Sequence, residues 1–371
     1  MHINSLKLVN YRNYNDLSID FNEHINLILG KNGQGKTNIV ESLTLIAIGK
    51  SFRTSKDKEL IKFDKDSLYI GCSFTRNNID KKIEIAIAKD KKGIKVNGVS
   101  VKSIQDLLGN LNVVIFSPED LKLIKDGPKE RRSFIDKEIS QIMPRYYSIL
   151  TSYNKVLDER NKLLKSHYID RNLLAVYSET LANYAAEIYL IRRDFVGKLS
   201  IISSDLHQKL TSDKEVLKIR YKSQIEVTDQ DDIRSMREKI ISAHEENIDH
   251  DMLNRNTRIG PHRDDIVIYL NDIDVRLYGS QGQQRTASIS LKLSEIELIK
   301  QEIGDYPVLI LDDVFSELDQ NRQKMLVEKL EDIQMFVTTA DPLHKLILGK
   351  DDYSVFNIEA GKVVEIENGG K

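Results

Sequence analysis

The chain contains a single cysteine, Cys72, so no internal disulfide can form, and a reducing compartment is expected. Cys72 lies in an apolar stretch, where a small core residue is expected rather than a reactive thiol. No run of 18 or more apolar residues occurs, which argues against a membrane-spanning helix. The opening Met1-His2-Ile3-Asn4-Ser5-Leu6 has no basic region followed by an apolar one, so no export signal is read and a cytoplasmic protein is expected. A large charge of one sign is missing too. The net charge of −2 at pH 7 excludes a globally basic nucleic-acid coat. Internal repeats and low-complexity tracts are also absent.

What is present describes a soluble globular protein, 40% hydrophobic and 30% charged. At 371 residues it exceeds what one hydrophobic core usually holds, so two lobes are expected. The charge is uneven. Residues 1–118 carry 18 Lys/Arg against 12 Asp/Glu, residues 119–255 carry 24 of each, and residues 256–371 carry 13 against 21. Any contact with DNA is therefore a local patch from the first and middle segments; the same counts equally describe ordinary solvated lysines.

Ile3, Leu6 and Leu8 alternate in strand fashion up to a Tyr11-Arg12-Asn13-Tyr14 corner, and Leu17, Ile19 and Phe21 continue after it. Ile25 to Leu29 is a short apolar strand, and Ile39, Val40, Leu43, Ile46 and Ala47 fall at helical spacing. Strands are expected over Leu68 to Phe74, Lys82 to Ala88 and Ile94 to Val96, with Asn97-Gly98 as a hairpin turn, and over Leu111 to Phe116. From Glu119 the character changes. Arg131 to Lys165 and Tyr177 to Leu210 are long helical patterns, suggesting a helical hairpin or bundle, and 211–250 is polar with one helix near Asp231 to Glu245. Strands return at Ile266 to Leu270 and Val275 to Leu277, followed by a helix from Gln283 to Ile299. A strand at Val308 to Leu311, a helix from Asn321 to Leu330 and a strand from Met335 to Thr339 complete the pattern. The expected organisation is an α/β lobe in two pieces, 1–118 and 256–371, split by a mainly helical lobe over 119–255.

Gly30-Lys31-Asn32-Gly33-Gln34-Gly35-Lys36-Thr37 fits G-x-x-x-x-G-K-[ST], with a strand before it and an amphipathic helix after it. Glycines let the loop curl so that backbone N–H groups face phosphate, and the helix adds its positive end. Lys36 is expected to reach the β- and γ-phosphates and the Thr37 hydroxyl to ligate Mg²⁺. Gly30, Asn32, Gly33, Gly35, Lys36, Thr37 and Asn38 thus form the expected ATP set. Val308-Leu309-Ile310-Leu311-Asp312-Asp313 is an apolar strand ending in two acids, the Walker B form. Asp312 would hold the metal and Asp313 would orient the attacking water.

Ser280, Gly282 and Gln283, in Tyr278-Gly279-Ser280-Gln281-Gly282-Gln283-Gln284-Arg285, open a helix and offer a second anion site. Two such helix ends far apart in one lobe cannot share a nucleotide, but a second copy can supply the other. This string is the signature of the ATP-binding-cassette class, in which two heads sandwich two nucleotides. Ser316-Glu317-Leu318-Asp319 matches that class's D-loop, and Thr338-Thr339-Ala340-Asp341 occupies its switch position, with Thr339 the candidate γ-phosphate contact. Ser51-Phe52-Arg53 follows the first helix, where related heads carry an arginine linking DNA contact to hydrolysis; a helix-capping surface arginine reads the same. Lys129, Arg131 and Arg132, in Gly127-Pro128-Lys129-Glu130-Arg131-Arg132, suit phosphates or simply a solvated helix start. His262 has no partner at metal-ligand spacing.

The order and wording of these segments resemble the bacterial RecF family along essentially the whole chain. The matching strings are Leu8 to Tyr14, Gly30 to Glu41, Gly49 to Arg53, Gly127 to Asp136, Gly260 to Asp265, Gly279 to Arg285 and Leu311 to Asp319. The resemblance implies an ABC-type, SMC-like P-loop ATPase head with an inserted, shortened helical arm. It further implies an ATP-dependent homodimer on double-stranded DNA at single-strand gaps, working with RecR and RecO to load RecA. Two positions depart from the pattern: no Q-loop glutamine stands between Phe116 and Asp120, and the switch histidine is absent. The residues alone leave a transporter-type ATPase subunit or another SMC-like head as alternatives. Many related ATPases carry Glu where Asp313 stands, and Asp is shorter by one C–C bond, about 1.5 Å. Slow hydrolysis follows: Asp313→Glu is expected to raise steady-state phosphate release, and a drop in turnover would refute the argument from reach.

Overall fold

Alternation in the first twenty residues produces β1 (His2–Tyr11) and β2 (Tyr14–Asp20), paired antiparallel around a corner where Arg12 adopts φ 51°. A computed structural model of the chain describes residues 1–89, 91–314, 332–340 and 352–369. The short apolar run becomes β3 (Ile25–Leu29), and α1 (Lys36–Ile48) follows directly after the glycine loop. This helix is buried nearly all round, packing on β4 (Ser67–Arg76) and β5 (Ile79–Ala88) as well as on two strands from the end of the chain. β6 (Lys91–Val96) and β7 (Val99–Val101) extend the antiparallel sheet, in the order β2-β1-β4-β5-β6-β7. The Asn97-Gly98 hairpin carries positive φ at both positions, 50° and 79°, as a type I′ turn demands, and Asn77-Asn78 does the same between β4 and β5. Then come α2 (Ile104–Leu107) and the buried β8 (Val113–Phe116).

The middle segment begins with α3 (Lys122–Lys125), α4 (Pro128–Ile142) and α5 (Pro144–Lys165). The single helical pattern expected over 131–165 is thus two helices. Pro144 cannot continue α4, because it lacks an N–H and excludes the helical region for Met143, and it serves instead as the first residue of α5. Next is α6 (Arg171–Thr211), 41 residues long and so roughly 60 Å, capped by Asp170 through Asn172 N and Leu173 N. β9 (Leu217–Lys222) falls in the polar, poorly patterned segment, where no strand is read; Leu217, Ile219 and Tyr221 alternate with basic residues over too few positions to stand out. α7 (Ile233–Glu246) opens on a reciprocal Asp232–Ser235 capping box, and α8 (Ile248–Asn254) follows. β10 (Asp265–Leu270) lies between β9 and the short β11 (Ile273–Asp274). The strand expected over Val275 to Leu277 is a helical turn, α9 (Val275–Tyr278), because Asp274 accepts from Arg276 N and Leu277 N. α10 (Gln281–Ile303) leads out.

β12 (Val308–Asp312), β13 (Met335–Thr339), β14 (Tyr353–Glu359) and β15 (Lys362–Gly369) complete a second six-stranded sheet, ordered β15-β14-β3-β13-β12-β8. All of its pairs are parallel except β14 with β15. Two compact units result, Met1–Asp120 with Glu295–Lys371, and Leu121–Ser294. The first boundary lies close to the one read from composition. The second differs over 256–294, because β10 pairs with β9 and carries that stretch into the helical lobe. The helix expected over 321–330 lies outside the described residues.

Cys72 is buried in the antiparallel sheet's core, and burial pushes its thiol up to about 12, as an inert core residue requires. The helical lobe is held by buried polar bonds. Arg160 and Asp251, both fully buried, pair at 2.7 Å. Arg192 donates to Asp136 at 2.8 Å, to Tyr146 Oη at 2.9 Å and to Pro261 O at 2.7 Å. Tyr153 Oη donates to His262 Nδ1 at 2.6 Å, and His262 Nε2 donates to Thr257 O at 3.1 Å. Gly260, at φ 141°, admits no side chain, since a Cβ would stand 2.3 Å from Tyr153 Oη.

Burial holds His262 down to about 4 and His244 down to about 3, so both are neutral in the folded lobe. Their contribution is fully present above the unfolded value and is lost as pH falls from there towards the folded values. Asp264, raised to about 6 by burial, acts oppositely between about 4 and 6, and the two histidines outweigh it. Urea midpoints are expected to fall between pH 7 and pH 4.5, with a shallower fall in His244→Gln; equal slopes would show that His244 is not part of the acid response.

Candidate nucleotide-binding site

The loop between β3 and α1 owes its shape to Gly30, Gly33 and Gly35, at φ 153°, 80° and 119°. A Cβ on Gly30 would lie 2.5 Å from Ile358 O, and one on Gly35 would lie 2.6 Å from Asn13 Nδ2 and 2.9 Å from Tyr14 Oη. The loop is thus gripped by its surroundings. Tyr14 Oη donates to Gly35 O at 3.0 Å and Asn13 Nδ2 to Gln34 O at 2.8 Å, while Asn38 Nδ2 donates to Asn13 Oδ1 at 2.8 Å. From the other side, the turn between β14 and β15 donates Gly361 N to Gln34 O at 3.1 Å and Ala360 N to Gln34 Oε1 at 2.6 Å.

Lys36 folds back over the loop, its Nζ donating to Gly30 O at 2.7 Å and Lys31 O at 3.2 Å. Burial lowers its pKa, against the pull of Asp313 and Asp312. Thr37 Oγ1 donates to Asp312 Oδ1 at 3.1 Å, so the two expected metal ligands meet. Thr338 Oγ1 donates to the same oxygen at 2.7 Å and accepts from Asp313 N at 3.0 Å. Burial raises the Asp312 pKa, partly offset by the Thr338 and Thr37 hydroxyls. Asp313 turns out of β12 at φ 57° and lines an open polar cleft of about 350 Å³ together with Asn32, Gly33, Gly35 to Asn38, Arg53 and Thr338.

The structure thus brings together the glycine loop, Thr37, Asn38, Asp312, Asp313 and Arg53. Of the threonine pair it is Thr338 that lines the cleft, whereas Thr339 is buried beside β3. Asp319 lies outside the described residues. Hard oxygen donors at Thr37 and Asp312, beside a loop of backbone N–H groups and a lysine, fit Mg²⁺ bound to a nucleoside triphosphate.

Sequence reasoning missed Glu41. Fully buried on α1, its carboxylate receives Arg12 Nη2 at 2.6 Å, Arg12 Nε at 2.9 Å, Ser51 Oγ at 2.6 Å and Tyr11 Oη at 3.0 Å, with Arg53 Nη1 at 3.5 Å. Burial pushes its pKa up, but the Arg12 and Ser51 hydrogen bonds and the Arg12 charge win, and it sits below the usual carboxylate range. Arg53 also donates to Asn38 Oδ1 at 2.8 Å, and its backbone N donates to Ser51 Oγ at 2.9 Å.

In the helical lobe, Ser280 and Gly282 are exposed at the start of α10, and Gln283 is half-buried. The cations of α4 separate into two kinds. Lys129 is exposed. Arg131 is buried, its guanidinium forked onto Asp265 at 2.7 and 2.9 Å and onto Asp126 O at 2.6 Å, and Arg132 donates to Asp264 O at 2.6 Å. Both arginines are engaged within the lobe; of the three, Lys129 is the exposed one, Arg132 is half-buried and Arg131 is buried. Among the described residues, no group of three or more His, Cys, Asp or Glu is placed to hold a metal, and no helix is long and apolar enough to cross a membrane.

Removing a buried carboxylate from its cationic partners costs about 3–5 kcal/mol, and the partial exposure of Arg12 puts this site at the lower end. Glu41→Ala is therefore expected to lose about 3 kcal/mol in urea unfolding; a loss below about 1 kcal/mol would mean that the cluster is solvated rather than buried.

The family model for the RecF/RecN/SMC N terminal domain matches residues 2–357. The DNA replication and repair protein RecF of Clostridioides difficile (strain 630) is 57% identical over 370 residues, covering 100% of both chains. That of Alkaliphilus oremlandii (strain OhILAs) is 44% identical, covering 98% of this chain and 100% of its own. A solved structure described as the recombination mediator protein RecF-ATPrS in the RecFOR pathway superposes with TM-score 0.92 at 38% identity, covering 99% of this chain and 98% of that one. Its RecF-ATP counterpart gives TM-score 0.91 at 38% identity, covering 99% and 97%. An Smc head bound to the C-winged helix domain of ScpA matches at TM-score 0.54 and 15% identity over 99% of this chain and 97% of that one, a likeness of fold alone.

Proposed function

The chain belongs to the RecF family of SMC-like DNA replication and repair proteins, and we propose that it works there as an ATP-gated DNA clamp. ATP with Mg²⁺ would bind on the Gly30–Thr37 loop of one copy and be completed by the Ser280 helix end of a second, closing a homodimer on double-stranded DNA. Membership in a family of DNA replication and repair proteins supports this reading over a transporter subunit.

The observation that carries the proposal is the convergence of Thr37, Asp312, Thr338 and Asp313 beside the loop, at the carboxyl ends of parallel strands. Lys36, held over the loop carbonyls, has only to swing outward to meet the β- and γ-phosphates. Thr37 and Asp312 would hold Mg²⁺, which when bound neutralises phosphate charge. Asp313, anchored through its backbone to Thr338, would orient a water and accept its proton; its short side chain keeps the closed dimer long-lived. Relatives solved with ATPrS and ATP support the nucleotide assignment.

DNA contact would fall to Arg53 and Lys129, the site cations with exposed side chains, through phosphates and hence without sequence preference. Arg53 shares Asn38 and Glu41 with the nucleotide helix, which gives DNA a direct route to the ATP cleft. The wider pathway, gap junctions at which RecR and RecO assist loading of RecA, rests on the family resemblance.

Two substitutions separate the halves of the site. Lys36→Met is expected to abolish nucleotide binding or turnover. Ser280→Arg is expected to leave ATP binding near wild type yet block ATP-dependent dimerisation in sedimentation velocity and ATP-dependent retention of duplex DNA. Normal dimerisation by Ser280→Arg would sink the composite site, and absence of an ATP-dependent wild-type dimer would sink the clamp.

A further inference from the structure

The start of α10 is hydrogen-bonded to itself. Gln283 N donates to Ser280 Oγ at 3.3 Å, and Ser280 N donates to Gln283 Oε1 at 2.9 Å, a reciprocal S-x-x-Q cap. The other end of the Gln283 carboxamide is held as well, its Nε2 donating to Glu215 Oε1 at 2.8 Å. The second Glu215 oxygen accepts from His207 Nε2 at 3.2 Å, and His207 Nδ1 meets Ser290 Oγ at 2.9 Å. A carboxylate only accepts, which assigns a proton to His207 Nε2. His207 is fully buried on α6, and Glu215 is fixed to it at the end of the loop that leads into β9. Gln283 is therefore an arm pinned at its tip, whereas Ser280, Gln281 and Gly282 face solvent. A Cβ built on Gly282 meets nothing within 4 Å.

The cap satisfies the N–H groups of Ser280 and Gln283, two of the donors that this helix start would otherwise offer to an anion. A phosphate that takes either of these two N–H groups must displace Gln283 Oε1 from Ser280 N or the Ser280 hydroxyl from Gln283 N. Because the acceptor pinning Gln283 is a carboxylate, the pin is stronger than a neutral hydrogen bond. Resting on the composite-site reading above, we infer that Glu215 is a positioning residue: it holds Gln283 across Ser280 and so sets how readily the γ-phosphate carried by a second copy engages this helix. The self-capped state opposes closure, and loosening the pin favours it.

The test compares wild type, Glu215→Gln and Glu215→Ala of the full chain. Dimer dissociation constants with ATP are measured by sedimentation velocity, and monomer affinity with a fluorescent ATP analogue at concentrations below dimerisation. A hydrogen bond to a charged group is worth about 1.5–3 kcal/mol, so Glu215→Ala is expected to tighten the ATP dimer by roughly 10-fold or more. Glu215→Gln, which keeps an acceptor but loses the charge, is expected to tighten it by a smaller factor. Monomer affinity stays unchanged in both. A merely structural role would instead lower the melting temperature and leave the dimer equal or weaker. That result, in a Glu215→Gln protein that folds and binds nucleotide normally, overturns the inference. Ser280→Arg runs alongside. If it dimerises normally, or if wild type does not dimerise with ATP, the composite site fails and the inference falls with it. If both controls behave and Glu215 variants do not tighten the dimer, the inference alone fails.

Discussion

Three glycines at positive φ make the loop at the head of α1, and a stretch with so little side chain cannot fix its own shape. Its curvature is imposed from outside. Asn13 and Tyr14 hold one side through Gln34 and Gly35, and the Ala360-Gly361 turn holds the other. Beneath it, the carboxylate of Glu41 gathers Tyr11, Arg12 and Ser51 around the helix that continues the loop. Remove these contacts and the backbone N–H groups have no reason to converge on a phosphate. The parallel sheet, the corner between β1 and β2 and the buried acid on α1 are parts of one support.

Elements with a dense local signal were legible in the sequence. The glycine loop, the apolar strand ending at Asp312, the Asn97-Gly98 turn and the strands of both sheets up to Phe116 stand where pattern and turn chemistry put them. What failed was decided by a single residue or by distant partners. Pro144 splits a helix whose apolar spacing runs straight through it, and Asp274 turns a β-branched stretch into a helical turn by capping it. β9 is a strand because β10 lies beside it. Glu41 was overlooked because burial is invisible in a string, and a glutamate on a helix ordinarily faces water.

The basic residues of α4 carry the same lesson. Lys129, Arg131 and Arg132 are alike in sequence, yet Arg131 is consumed by a forked pair with Asp265 and Arg132 by a backbone carbonyl, leaving Lys129 in solvent. Charge counts locate cations without saying what they neutralise. In the helical lobe most buried charge is neutralised internally, through Arg160 with Asp251 and Arg192 with Asp136.

The position of Gly30 against Ile358 has a consequence for synthesis. β3, at residues 25–29, is flanked by β13 and β14, so the strand that launches the phosphate loop leaves the ribosome long before its neighbours. At about 5–20 residues per second the interval is tens of seconds, during which β3 has neither neighbour in its sheet. The loop after β3 therefore lacks its sheet neighbours until late in translation. Only a chain translated as far as the Ala360-Gly361 turn can hold Gln34 from that side and fix the loop.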